Sequence, residues 1–316
     1  MSWTKHGLIY APRGQFGWNL SHAQVPTVDV VDDRVWRIYY STRDADNKSW
    51  TSFIEVEAEN PSKVLYEHPE PILPLGRMGT FDDSGIMPSC VVRVNDSTRY
   101  LYYVGWTTRQ TVPYHNSIGL AVSRDGGRSF AKLAEGPLFG PTLEEPYFTG
   151  TSCVLVEGDL WRCWYLSAIK WEPFEGKPEP FYDIKYAESD DGIRWRRGGQ
   201  VAVSLRLPHE AGLVPTTVLK IGGRYQMWYG RRNLAHYRTD PANSYRIGYA
   251  ESPDGIHWER MDSAAGIDLS SEGWDSMMIS YPHVVIGRGG RQCMFYNGNG
   301  FGRTGFGYAT RELTPS

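Results

Sequence analysis

Hydrophobic positions in this chain alternate with polar ones in short runs, and the runs recur. Five of them end in paired aromatic or apolar residues: "WRIYYS" (36–41), "YLYYVG" (100–105), "WRCWYL" (161–166), "YQMWYG" (225–230) and "QCMFYN" (292–297). Ahead of each lies a shorter apolar run: "VPTVDVV" (25–31), "MPSCVVRV" (87–94), "GTSCVLV" (150–156), "VPTTVLKI" (214–221) and "YPHVVIG" (281–287). With Pro26, Pro88, Thr151, Pro215 and Pro282 aligned, the intervals are 62, 63, 64 and 67 residues. A repeat of that length holds one supersecondary unit. Each unit reads as strand, tight turn, strand, longer loop, strand, tight turn, strand.

The turns support this division. Between the first two strands of each unit stand Asp-Asp, Asn-Asp, Gly-Asp, Gly-Gly and Gly-Gly, residues suited to hairpins. Between the third and fourth strands a longer motif recurs as "AVSRDGGRSF" (121–130), "AESDDGIRW" (187–195) and "AESPDGIHW" (250–258). Its Asp125, Asp191 or Asp254 can accept backbone N–H groups two residues on, and the Gly that follows supplies a positive φ. The closing Phe130, Trp195 or Trp258 then points into the interface between sheets. A four-stranded sheet cannot bury both faces alone, so the units must stack around an axis. The expected fold is all-β, a five-bladed β-propeller forming one domain over residues 1–316. Its blades fall at about 20–80, 81–143, 144–207, 208–270, and 271–316 completed by 1–12. The fifth unit lacks a fourth strand, and Trp3–Tyr10 matches the pattern from Trp258 onward, so the N-terminal strand should close the ring.

Composition changes little in this picture. The 316 residues include 12 Trp, 20 Tyr and 11 Phe beside 34 Gly and 20 Pro, fitting pleated strands and turns. A net charge of −3 offers no footprint for nucleic acid or an anionic membrane. No apolar run approaches a bilayer's span, and "MSWTKHGLIYAP" has no hydrophobic signal region, which together imply a cytoplasmic protein. Cys90, Cys153, Cys163 and Cys293 lie too far apart for a metal or redox motif and read as packing residues.

The long loops share one face of such a fold. They carry Trp106, Tyr114, Trp171, Phe174, Tyr182, Tyr237 and Phe301, whose flat rings suit sugar faces. The segments entering each first strand converge on the axis and read "WNLSH" (18–22), "TFDDSG" (80–85), "EEPYF" (144–148), "PHEAG" (208–212) and "EGWDS" (272–276). Carboxylates crowded there would separate in pKa and so provide an acid and a base. Candidate catalytic residues are Glu145, Glu144, Asp83, Asp82 and Asp275. Candidate substrate contacts are Asn19, His22, Arg43, Trp106, Trp171, His209, Glu210, Arg231 and Trp274.

On these repeats and loop positions the chain resembles the five-bladed propellers of glycoside hydrolase families 32, 43, 62 and 68 and the related family 130 phosphorylases. The resemblance implies an aspartate base or nucleophile in blade one, an aspartate stabiliser in blade two and a glutamate acid in blade three. Blade two offers Asp82 or Asp83, and blade three Glu144 or Glu145. Blade one departs, with Asn19, Ser21 and His22 but no carboxylate, since Asp29 lies mid-strand. The second role would then fall to Asp82, Asp83, Asp275 or Glu210, or to His22 or His209 as base. Alternatively, phosphate held by Arg43, Arg231 and Arg232 would serve as nucleophile. His283 is similar in placement to an axial histidine that accompanies an ion in some arabinan-degrading relatives. A lone inward histidine is more often a core residue, so no cofactor or metal is expected, with an axial ion near His283 as the alternative. The motif at 123–130 also resembles the Asp-box turn of sialidases, whose six blades and arginine triad this chain lacks.

The expectation is a glycoside-hydrolase-like enzyme acting on a glycosidic bond of a small-molecule or oligosaccharide substrate. Two alternatives stand beside it. One is a non-hydrolytic propeller binding a glycan or sugar nucleotide in cytoplasmic polysaccharide biosynthesis, which the carboxylate missing from blade one favours. The other is a glycoside phosphorylase.

Overall fold

The computed structural model describes residues 2–312. Strand β1 (Thr4–Tyr10) comes first. A first antiparallel group follows: β2 (Ser21–Val30), β3 (Val35–Arg43), β4 (Ser49–Glu57) and β5 (Val64–Glu67). The second group is β6 (Gly85–Arg93), β7 (Arg99–Thr108), β8 (Tyr114–Ser123) and β9 (Ala131–Lys132). The third is β10 (Thr149–Glu157), β11 (Leu160–Phe174), β12 (Lys177–Ser189) and β13 (Trp195–Val203). The fourth is β14 (Glu210–Ile221), β15 (Arg224–Asn233), β16 (Arg246–Ser252) and β17 (Glu259–Arg260). Last come β18 (Ser280–Ile286), β19 (Gln292–Asn297) and β20 (Phe306–Arg311), and β1 pairs antiparallel with β20 to make the fourth strand. Single parallel bridges, Ser49 to Gly85 and Tyr182 to Gly212, join the first group to the second and the third to the fourth.

The leading strands contact one another in a cycle: β2 meets β6, β6 meets β10, β10 meets β14, β14 meets β18, and β18 meets β2. Side-chain hydroxyls replace ladder hydrogen bonds across these seams. Ser89 Oγ donates to the Ser152 carbonyl at 2.9 Å, and Thr217 Oγ1 accepts the Val284 N–H at 3.0 Å. No helix among the described residues is long and apolar enough to cross a membrane. All four cysteines are free and buried.

The recurring turn locks neighbouring groups together. Asp125, Asp191 and Asp254 each accept two backbone N–H groups, between 2.7 and 3.1 Å. Gly127, Gly192 and Gly255 take positive φ of 90, 72 and 79°, which frees their carbonyls to face the preceding group. There Tyr39 Oη, Tyr102 Oη and Trp164 Nε1 donate to them at 2.6, 2.7 and 2.8 Å. Phe130, Trp195 and Trp258 pack edge-on against those same three rings. Trp3 repeats the arrangement against Trp228 at 6.3 Å. Each buried aromatic removes about 200 Å² from water, roughly 5 kcal/mol by area. Exposed ion pairs on the turns contribute under about 1 kcal/mol each. The aromatic seams therefore carry the stability.

One loop departs from expectation. The segment carrying Trp171, Phe174 and Tyr182 reads as a long loop in the sequence, but β11 and β12 run on to a two-residue hairpin at Glu175-Gly176, both with positive φ. Two positive φ values match the right-handed twist of flanking strands, so the chain pairs where it was expected to wander.

Candidate functional site

A cavity of about 450 Å³ opens where the long loops meet the starts of the leading strands. Gln24, Met87, Thr151, Val214 and Tyr281 come from those strands, and Trp106, Tyr114, Tyr182, Tyr237, Tyr245 and Phe301 add aromatic faces. The aromatics brace one another, Tyr114 lying 5.4 Å from Trp171 and 5.6 Å from Phe148, and Tyr245 lying 5.8 Å from Phe301.

Backbone strain gathers around this cavity. Among the described residues the non-glycine positions with positive φ are His22, Val25, Asn47, Glu175, His236, Tyr281 and Phe301. Asn47, Tyr281 and Phe301 line the cavity, while Val25 and His236 adjoin the lining residues Gln24 and Tyr237. Such conformations cost about 1–3 kcal/mol each and persist where the surroundings enforce them. Val25, β-branched at φ 53°, is held by its N–H on Asn297 Oδ1 at 2.9 Å.

Charge at the cavity is sparse. Arg43 donates to Gln24 Oε1 at 3.3 Å and to Asn47 Oδ1 at 2.7 Å, both neutral amides. Burial lowers its pKa, partly offset by Tyr281. Arg238 also lines the cavity but is paired with Glu179. Arg232 lies behind the wall, 2% exposed, donating to Tyr182 Oη at 2.8 Å and to the Pro180 carbonyl at 2.6 Å, with Tyr237 stacked on its face. The hydroxyls of Tyr182 and Tyr245 are hydrogen-bonded to each other. Asp46 is the one carboxylate among the lining residues, and it is exposed.

The acidic residues singled out from the sequence sit elsewhere. Asp82 pairs with Lys132 at 2.6 Å and accepts Tyr103 Oη at 3.0 Å. Glu145 lies 3.1 Å from Arg197 and accepts Tyr165 Oη at 2.8 Å and Ser167 Oγ at 2.7 Å. Glu210 takes Arg260 through both oxygens, at 2.7 and 2.9 Å, and two backbone N–H groups. Asp275 pairs with Lys5 at 2.7 Å and accepts Tyr296 Oη at 3.0 Å. One pattern covers all four. The acid entering a leading strand bonds a cation on its own group's last strand, β9, β13, β17 or β1, and each acid is at most 3% exposed. The expected convergence of these carboxylates on a common pocket is therefore not found. A side chain at that position is instead engaged by the last strand of its own group.

The pKa shifts agree with a structural role. Burial would raise Glu145, but Ser167, Arg197 and Tyr165 outweigh it and hold the carboxyl low. Burial likewise opposes Glu210, yet Arg260 and the Arg206 N–H bring it to about 2. Asp83 is half-buried and bound by the Gly79 N–H and Ser84 Oγ, both at 2.9 Å, while Glu144 is exposed. The first group holds Asn19 at the corresponding place, fully buried and bonded to Tyr10 Oη at 3.1 Å and Thr42 Oγ1 at 3.1 Å.

Of the expected substrate contacts, Arg43 and Trp106 line the cavity, and Trp171 packs behind it. His22 bonds Ser21 Oγ beside Arg43, and burial with the charges of Arg43 and Arg303 lowers its pKa to about 4, so it is neutral at pH 7. His209 is exposed, and Arg231 lies 3.7 Å from Asp262, outside the lining. Trp274 stacks on Tyr296 at 5.1 Å in a seam between groups. His283 is partly exposed, with burial lowering its pKa to about 4, and among the described residues no three His, Cys, Asp or Glu gather as metal ligands would. Gln24, Asn116, Thr151, Tyr245 and Tyr281 were not anticipated. Tyr245 holds the same place in the "YRIGYAES" strand (245–252) as Tyr182 in "YDIKYAES" (182–189), a repeat that could have exposed it.

No protein-family model matches the chain. Two curated proteins of Mycobacterium tuberculosis do: Uncharacterized protein Rv1502 from strain ATCC 25618 / H37Rv and Uncharacterized protein MT1551 from strain CDC 1551 / Oshkosh. Each is 37% identical over 312 residues, covering 99% of this chain and 100% of the relative. Among solved structures, a glycosyl hydrolase from Bacteroides ovatus superposes with a TM-score of 0.71 at 13% identity, covering 98% of this chain and 92% of its own. A thermostable family-43 glycoside hydrolase gives 0.66 at 16%, covering 96% and 93%. A structure from work on the GH130 family of mannoside phosphorylases gives 0.72 at 12%, covering 100% and 95%. At these identities the likeness shows the fold, that of glycoside-hydrolase-type propellers.

Proposed function

The chain belongs to one family with the two Mycobacterium tuberculosis proteins, and from that premise we propose that it is a single-domain, five-bladed propeller that binds an oligosaccharide or sugar nucleotide in its aromatic cavity without cleaving it. The observation that carries this reading is the separation of two chemistries. Rings that can cover sugar faces line the cavity, whereas Asp82, Glu145, Glu210 and Asp275 are each bound to a cation of their own group. Glycoside hydrolysis ordinarily uses two carboxylates flanking the bond, one as acid and one as base or nucleophile, and phosphorolysis still uses the acid. An ionised carboxylate with a depressed pKa, such as Glu145, cannot serve as the acid at neutral pH. Aromatic stacking and scattered amide and hydroxyl groups are what binding alone requires.

Titration calorimetry against neutral and acidic oligosaccharides and sugar nucleotides, with product analysis with and without phosphate, tests this. Saturable binding without product is expected, and Trp106→Ala should weaken it roughly tenfold, the loss of one stacked ring. Turnover abolished by Glu145→Gln in a variant with unchanged circular dichroism would overturn the non-catalytic reading. Absence of binding across the whole panel would overturn the proposal altogether.

A further inference from the structure

Arg43 is the cavity-lining guanidinium that has no carboxylate within 4.0 Å. Its neighbours Gln24 and Asn47 orient it through neutral oxygens and so fix its direction while leaving its charge uncompensated. Three other arginines near these loops are matched, Arg238 with Glu179, Arg246 with Asp268 and Arg231 with Asp262, whereas Arg303, whose charge also reaches His22, adds to the positive charge on this side. The charge of Arg232 stands behind the tyrosines, also without a carboxylate in reach. His22, neutral at pH 7, neither adds to the positive charge nor cancels it. A cation withdrawn from water without an anion is costly, and a guanidinium held in a fixed fork is suited to receive a planar or tetrahedral oxyanion.

A second observation points to a ligand in the same cavity. Thr151 is 4% exposed and lines the cavity, and its Oγ1 has no hydrogen-bond partner. A buried hydroxyl of this kind is ordinarily paired. Resting on the sugar-binding reading above, we propose that the sugar taken by this cavity carries an acidic group, a carboxylate or a phosphate, that seats on the Arg43 guanidinium while a sugar hydroxyl meets Thr151 Oγ1. Tyr281 and Phe301, held in left-handed backbone conformations, line the same cavity.

The experiment compares matched ligands on the full chain by calorimetry at fixed ionic strength: a neutral oligosaccharide, its uronate-bearing counterpart, a sugar 1-phosphate and inorganic phosphate alone. The acid-bearing ligand should bind about 30-fold tighter than its neutral match, as a charge-assisted bidentate contact provides. Arg43→Met should remove that preference, and Arg43→Lys should restore part of it. The uronate and phosphate arms identify which anion is used. Equal affinity for neutral and acidic sugars, or a preference that survives Arg43→Met, overturns the anion site and leaves the sugar-binding reading standing. Inorganic phosphate binding as tightly as the sugar phosphate overturns it as well, by making the sugar irrelevant. If Arg43→Met does not fold, the comparison of ligands on the unaltered chain and on Arg43→Lys decides. Failure of every sugar to bind removes the reading on which the proposal rests.

Discussion

Glu210 is a carboxylate whose surroundings fix its charge. Arg260 grips both of its oxygens and two backbone N–H groups complete the set, so its pKa falls from 4.5 to about 2 despite burial. A depressed folded-state pKa means stability that is fully present above about pH 4.5 and is lost as pH falls toward 2, worth about 3 kcal/mol. Urea denaturation at pH 6 and pH 3 should show the protein weakened at the lower value, and Glu210→Gln should flatten that difference. An unchanged slope in the variant would contradict it. The same residue marks where sequence reading stops. The segment "PHEAG" places an acid ahead of a strand, but whether that acid meets the axis or its own group's outer strand depends on a cation about 50 residues away. The outer strand Glu259–Arg260 is two residues long and carries no periodicity from which its cation could be recognised. The cavity aromatics were more legible, since Trp106, Tyr114, Tyr237 and Phe301 stand in long loops or at strand ends flanking them, and Tyr182 stands in a segment that reads as a loop although it lies within β12. Thr151 and Gln24 look like any strand residue until the neighbouring strand is in place.

At the scale of elements, strand pairing follows the alternation closely because the runs ending in paired aromatics are long and their turn residues specific. Those runs lie within β3, β7, β11, β15 and β19. The closing strand was legible for the same reason, as Trp3 repeats the place of Trp258. Trp3 is 7% exposed, packs on Trp228 and donates its Nε1–H to the Ala265 carbonyl at 3.0 Å. Trp3→Ala should cost about 3–5 kcal/mol, measured by chemical denaturation, through the cavity it leaves in the seam. A cost below about 1 kcal/mol would mean that β1 contributes little beyond backbone pairing. The Glu175-Gly176 hairpin shows the opposite failure. Its charged, proline-containing flanks suggested a loop, and pairing across β11 and β12 overrode that preference.

For the whole molecule, the cycle from β2 through β18 and back to β2 distinguishes this fold from open repeat arrays, in which each unit touches only its neighbours and terminal units fray. Here each group has two neighbours, and the first and last are joined by Val25 and Asn297 as well as by Tyr10, whose hydroxyl meets Tyr40 at 2.9 Å. Calorimetry should therefore show one transition, and deleting residues 306–316 should lower that transition as a unit and not split off a minor early one. A separate low-temperature step would mean that the groups unfold independently.

The pairing of β1 with β20 sets side by side two strands that are far apart in the sequence and so are synthesised at well-separated times. During translation Thr4–Tyr10 leaves the ribosome long before its partner, Phe306–Arg311. Until then the nascent chain carries a strand with no edge to join, including the half-exposed Leu8. That waiting interval is when chaperones have most to protect and when a neighbouring nascent copy could capture the wrong strand.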